Sequence, residues 1–155
     1  MLLIDQDFLP QAIALLNTAK SYINIATFKA EISLKPRGRA LRLFYETLFT
    51  KRKSGVEVNF FLNWNTEHRS VPLCNMGTLL ELKKQKINVY MLPNNRCCHA
   101  KIIIADRAQA IIGSHNLSIA SCHRNFEASY LITDKVSVDR LCFIFTRTCS
   151  NATLL

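Results

Sequence analysis

The stretch from His99 to Asn116 reads HAKIIIADRAQAIIGSHN. It carries an imidazole at His99, an ammonium at Lys101, a carboxylate at Asp106, then Gly113-Ser114 and an amide at Asn116. As spacing, this is H-x-K-x4-D-x6-G-S-x-N. Side chains two apart in a strand share a face. His99 with Lys101, and Ser114 with Asn116, are therefore predicted to project as pairs from two adjacent strands. Ala100, Ile102 and Ile104 take the opposite face, where helices can pack on them. Such a patch offers donors for the non-bridging oxygens of a phosphate and a nucleophile for its phosphorus. Gly113 lets a substrate or a neighbouring backbone come close. A lone strand histidine is more often a packed or surface residue, so it is the fixed set of positions that points to chemistry.

The pattern resembles the signature of the phospholipase D superfamily, and no motif position departs from it. The resemblance implies phosphodiester chemistry with no metal and no other cofactor. Two copies of the motif meet, one histidine attacks phosphorus, and the other serves as acid and then base. Lysines and asparagines of both copies hold the non-bridging oxygens. Asp106 is implied to organise the hairpin corner rather than to move protons. A histidine nucleophile must also be neutral and oriented, which calls for an acceptor on its second nitrogen. Glu127, in Asn125-Phe126-Glu127, is the candidate, and small nucleases of the superfamily carry an acidic residue at a similar place. The signature occurs once here: His68 leads into Arg69-Ser70 and His123 into Arg124-Asn125. A homodimer is expected, its interface isologous, with His99 of each subunit facing its twin.

Compact single-motif members of the superfamily resemble small endonucleases, whereas its lipid enzymes usually carry two motifs in a longer chain. The expected activity is thus a nuclease of low sequence specificity, acting on DNA or RNA. Charge points the same way: 20 Lys and Arg against 11 Asp and Glu give +9 over 155 residues, an excess that favours polyanions. Arg37, Arg39, Arg69, His123 and Arg124 are candidate phosphate contacts, with Lys51-Arg52-Lys53 beside them. That last cluster equally suits a helix C-terminus. Trp64 is a candidate to stack on a base, or a rim residue at a strand end. His115 falls at the variable motif position and should point away from the patch. Two other classes stay open. One is a lipid phosphodiesterase or phosphatidyl transferase, which an exposed apolar patch near His99 would favour. The other is a non-catalytic nucleic-acid-binding module.

Positioning these residues calls for a mixed parallel and antiparallel sheet flanked by helices, an α/β fold. Ala12, Leu15, Leu16 and Ala19 recur at helical spacing after Asp7, a plausible cap, with Pro10 in the first turn. Tyr22 to Phe28, Val56 to Leu62 and Ile87 to Leu92 read as buried strands. Leu41, Phe44, Tyr45, Leu48 and Phe49 make a second helix. Asn63 to Met76 reads as a long polar loop before a short helix around Leu79 to Lys86. Helices between these strands imply parallel crossovers. His99 to Ala105, Ala110 to His115 and Phe126 to Ile132 read as strands, the first two joined by a hairpin at Asp106-Arg107-Ala108. Val138, Leu141, Cys142 and Phe145 lie on one face of a last helix after Asp134. The tail from Ser150 reads as a fraying end.

Residues 1–155 read as one domain, 49% apolar and 20% charged. A chain of this size buries roughly two-thirds of its unfolded surface. The apolar start is broken by Asp5, Asp7 and Pro10 and lacks a basic leader, so no secretion signal is expected. No apolar run nears the ~20 residues of a membrane span, and no stable membrane insertion is expected. Cys74, Cys97, Cys98, Cys122, Cys142 and Cys149 include no C-x-x-C pair. They are read as reduced thiols of a cytoplasmic protein, without a zinc site.

Overall fold

The computed structural model describes all residues except 33–35, 66–69 and 94–95. A short strand β1 (Leu2–Ile4) and a 3-10 turn (Asp5–Asp7) lead into α1 (Phe8–Thr18) and β2 (Tyr22–Thr27). A second 3-10 turn (Pro36–Gly38) opens α2 (Arg39–Lys53), followed by β3 (Glu57–Leu62), α3 (Ser70–Lys84) and β4 (Asn88–Met91). The hairpin β5 (Ile102–Ala105) and β6 (Gln109–Gly113) comes next. Then follow α4 (Ile119–His123), β7 (Ala128–Ile132), α5 (Lys135–Ser150) and β8 (Thr153–Leu154). Among the described residues, eight strands form one sheet in the order β1-β7-β6-β5-β2-β3-β4-β8. The pairs β2·β3 and β3·β4 are parallel and the rest antiparallel. This is the mixed sheet flanked by helices that the sequence implies.

Strand alternation divides the core between the two faces. Ile23, Ile25, Val58, Phe60, Ile103 and Ile111 join Leu15, Leu16, Phe44 and Leu48 of α1 and α2 in the larger core. Ala26, Phe61, Ile104 and Ala110 pack with Val138, Cys142 and Phe145 of α5 on the other side. Asp134 caps α5 by accepting from the Ser137 amide at 2.9 Å.

Several elements depart from the sequence reading. From Ser70 on, the segment read as a loop to Met76 is the first half of α3, with Pro72 in its opening turn, where a missing N–H costs nothing. Its polar look has a structural use. The buried Asn75 side chain accepts from Ala30 N and donates to Phe28 O and Asn63 O. Thr78 does the same for Ile32 N and Ala30 O. Asp7 does not cap α1 through its side chain, which accepts instead from Ile4 N at 3.3 Å. The tail from Ser150 does not fray: Thr153 and Leu154 pair with β4. Strand β1 and helix α4 were not anticipated. All six cysteines are free. Among the described residues, no helix is long and apolar enough to cross a membrane.

Candidate active site

The strands end just short of the motif. β5 begins at Ile102 and β6 ends at Gly113, so His99, Lys101, Ser114 and Asn116 lie beyond the paired ends. The ladder still reaches them through a Gly113 N–H bond to Lys101 O at 3.2 Å. Gly113 is required by packing. A Cβ there would collide with Ser129 Oγ, Ser129 Cα and Ala128 O. The close neighbour is thus the β7 backbone.

His99 is exposed, and its ring lies tilted 4.9 Å from Phe28. Lys101 Nζ sits 3.0 Å and 3.2 Å from the two ring nitrogens, 2.7 Å from His99 O, and 5.5 Å from the Phe28 centroid. An ammonium only donates, so the nitrogen facing it must accept, which favours the neutral imidazole. Desolvation, and then the Lys101 charge, lower the His99 pKa. Desolvation lowers that of Lys101 as well.

The other half is built around Glu127, which is buried. Its carboxylate accepts from Ser114 Oγ, from Ser121 Oγ at 2.8 Å and from Asn125 Nδ2 at 2.9 Å. Burial alone would raise its pKa, but the Ser114, Asn125 and Ser121 bonds outweigh that and lower it. Ser121 Oγ also accepts the Asn116 N–H at 2.8 Å. One carboxylate therefore secures both Ser114 and the backbone of Asn116. Asn116 Oδ1 accepts from Lys29 N at 3.0 Å, which leaves the amide NH2 as its donor. The expected bond from Glu127 to His99 is thus replaced, within the chain, by bonds to Ser114, Ser121 and Asn125.

A layer beneath holds this carboxylate in place. Asp5 Oδ1 accepts from Glu127 N at 2.8 Å, and Asp5 N donates to Glu127 O at 3.1 Å. His115 points away from Ser114, as strand alternation requires. It is buried and stacked 4.4 Å from Phe8. Its Nε2 lies 3.0 Å from Asp5 O and its Nδ1 2.8 Å from Ser129 Oγ. A carbonyl can only accept, so Nε2 carries the proton and Nδ1 accepts from the serine. Burial lowers the His115 pKa, in keeping with a neutral ring. Sequence reasoning missed Asp5 and Ser121. The motif gives no sign of them, because one is brought in from the N-terminus and the other from an unforeseen helix.

Asp106 turns the hairpin with Arg107, both in the left-handed region at φ 50° and 52°. Aspartate tolerates this conformation better than most residues. Its carboxylate accepts from Lys20 N, Ser21 N and Tyr22 N. Burial opposes ionisation, but these backbone bonds prevail and lower the pKa.

Arg37 and Arg39 are exposed and line a cleft of about 670 Å3 with Arg42 and His123. Arg37 and Arg124 line an adjoining cleft of about 570 Å3 with Glu31 and Ile119. Trp64 is half-buried and packs against the larger core. Lys51 Nζ donates to Asn17 O and Ala19 O, and Arg52 Nε to Lys86 O. Those two cations serve helix-end packing. Arg69 and His68 lie outside the described residues.

A mixed sheet that brings an HxK pair beside a carboxylate-braced GSxN turn is the arrangement of the phospholipase D superfamily. The family described as "Cardiolipin synthase, PLD-like domain" matches residues 12–148, and the chain belongs to it. It is 32% identical to a Phospholipase D of Rickettsia typhi over 109 residues, 69% of this chain and 51% of that protein. It is 29% identical to Cardiolipin synthase 1 of Staphylococcus epidermidis over 102 residues, 66% of this chain. The matched part is only 21% of the synthase, so the chain spans a fraction of its curated relatives. In fold it superposes on Nuc of Salmonella typhimurium, a phospholipase D family member, with a TM-score of 0.81 at 15% identity. That match covers 100% of this chain and 96% of Nuc.

Proposed function

We propose that the protein is a metal-independent phosphodiesterase acting on nucleic acid through a site shared by two copies of the chain. In one copy, neutral His99 attacks phosphorus and forms a P–N bond as the P–O bond to the leaving group breaks. His99 of the other copy, protonated, gives its proton to the leaving oxygen. It then takes a proton from water, which attacks phosphorus and releases the first histidine. Lys101 and the Asn116 NH2 of both copies hold the non-bridging oxygens, where charge develops. Glu127 keeps Ser114 and Asn116 in place, and Asp106 and Gly113 fix the strands that carry the motif.

The observation that carries this reading is the pairing of an exposed, pKa-lowered histidine and its lysine with a carboxylate-braced serine and asparagine. For substrate class, support comes from the +9 charge and from Arg37, Arg39, Arg42, His123 and Arg124 around two adjoining clefts. A lipid phosphodiester is the second reading, favoured by the names of the curated relatives. The test is cleavage of single- and double-stranded DNA, RNA and phospholipid vesicles in excess EDTA, with a His99→Ala control. Nucleic-acid cleavage by wild type alone is expected. Cleavage of lipid alone would overturn the substrate class. Salt-sensitive binding without any cleavage would establish the binding-module reading instead.

A further inference from the structure

The sheet face under α5 is not apolar throughout. Tyr22 and Asn24 of β2 stand in register with Glu57 and Asn59 of β3. With Phe143 of α5 and Arg107 of the hairpin they line a cleft of about 420 Å3. Small-molecule sites span roughly 300–1,000 Å3. The cleft lies at the starts of β2 and β3, whereas Phe28, just past the end of β2, meets His99. It is therefore separate from the candidate active site. Its floor is a directed chain of amides. Asn88 Nδ2 donates to Asn59 Oδ1 at 3.0 Å, and Asn59 Nδ2 donates to Asn24 Oδ1 at 3.1 Å and to Glu57 Oε1 at 2.8 Å. Asn24 ends the chain. It is only 5% exposed, and its own NH2 has no protein partner among the described residues. A buried amide with unmet donors costs free energy that an apolar side chain would not.

We infer that this cleft binds a nucleobase whose edge carries a carbonyl beside N–H groups, as guanine does, in a free nucleotide or in a strand. The inference goes beyond the proposed reaction and does not depend on it. Three features select this ligand. The Asn24 NH2 can only donate, so it asks for an acceptor such as the guanine carbonyl. The Glu57 carboxylate is exposed and accepts, with one oxygen taken by Asn59, so it asks for N–H donors such as those next to that carbonyl. Asn24 and Glu57 meet the same Asn59 Nδ2, which makes donor and acceptor neighbours on the scale of one base edge. Finally, Phe143 is 66% exposed and gives the α5 side of the cleft an aromatic face on which a base can stack. Adenine has no carbonyl to offer Asn24, and ribose has no ring to stack on Phe143.

The experiment is an NMR titration that follows the side-chain amides of Asn24 and Asn59. Guanosine is the probe, because it carries no phosphate for the candidate active site and no bond to cleave there. It is titrated into wild type, Glu57→Gln, Phe143→Ala and, as control, Leu80→Ala, since Leu80 is 62% exposed on α3 and does not line the cleft. Adenosine and ribose are the comparison ligands. Wild type and Leu80→Ala are expected to bind guanosine about tenfold or more tighter than adenosine. Glu57→Gln and Phe143→Ala are each expected to weaken guanosine about tenfold or more. Both side chains are exposed, so both variants should keep a native circular dichroism spectrum. Two further titrations of His99→Ala, with guanosine monophosphate and with a short single strand holding one guanine, assign the source. Tighter binding of the strand at the same amides makes the cleft part of a nucleic-acid path, and tighter binding of the mononucleotide makes it a site for free nucleotide. The inference is overturned if millimolar guanosine moves neither amide, if both variants bind it like wild type, or if ribose binds as tightly.

Discussion

Ser114, Asn116 and Glu127 are tied into the chain by a continuous set of hydrogen bonds that reaches Ser121, Asp5 and, through its carbonyl, His115. His99 and Lys101, by contrast, touch mainly each other and Phe28. One half of the candidate site is built in advance, and the other stands open to solvent. On the proposed function, the difference assigns them different work. The braced half would fix oxyanion donors, whose value depends on their not having to reorganise. The open half would hold the nucleophile that must reach phosphorus and meet its counterpart. It also separates the costs of mutation: damage to the braced half reaches folding, whereas damage to the open half reaches chemistry alone.

The largest expected effect breaks the comparison on its open side. His99→Ala is expected to lower turnover at least about a thousandfold, with stability within about 0.5 kcal/mol of wild type. A large fall in Tm would show that His99 is structural. Next comes Gly113→Ala on the braced side, where the added Cβ collides with the β7 backbone. Repacking of that kind costs about 1–3 kcal/mol, to be read from chemical denaturation. An unchanged midpoint would mean that β6 and β7 can separate freely.

Glu127→Gln is expected to cost activity about tenfold or more and stability about 1–3 kcal/mol at neutral pH. Its sign with pH follows from the lowered pKa. A carboxylate depressed by folding stabilises above its ordinary titration range, and that stability is lost as pH falls through the folded value. The gap in Tm between wild type and variant should therefore narrow in acid, and a constant gap would remove the charge from its bracing role. The smallest effect sharpens the comparison. Lys101→Met removes a neighbouring positive charge and should raise the His99 pKa toward its ordinary 6.5, measured by NMR titration. No movement would mean that burial alone sets it.

The motif was legible in sequence because its residues are close along the chain and their types are dictated by chemistry. Its bracing was not. Asp5 comes from the far end of the sequence and uses both its carboxylate and its left-handed backbone at φ 45°. Ser121 lies on a five-residue helix too short to show periodicity. The in-chain partners of Glu127 are not legible either, because alternation along a strand says nothing of which neighbour a carboxylate will meet beyond the strand end. Likewise the parallel β2–β4 core follows from apolar runs separated by helices. The first half of α3 is hidden by Asn75, whose side chain satisfies buried backbone groups rather than water.

The central claim is that His99 attacks phosphorus. Its most direct test is to quench wild type and His99→Ala with acid-free denaturant during turnover of a labelled phosphodiester in EDTA, and to map the label by mass spectrometry. A phosphoryl adduct on His99 in wild type, absent from the variant together with turnover, is the expected result. Turnover that persists in His99→Ala, or an adduct on another residue, would contradict it.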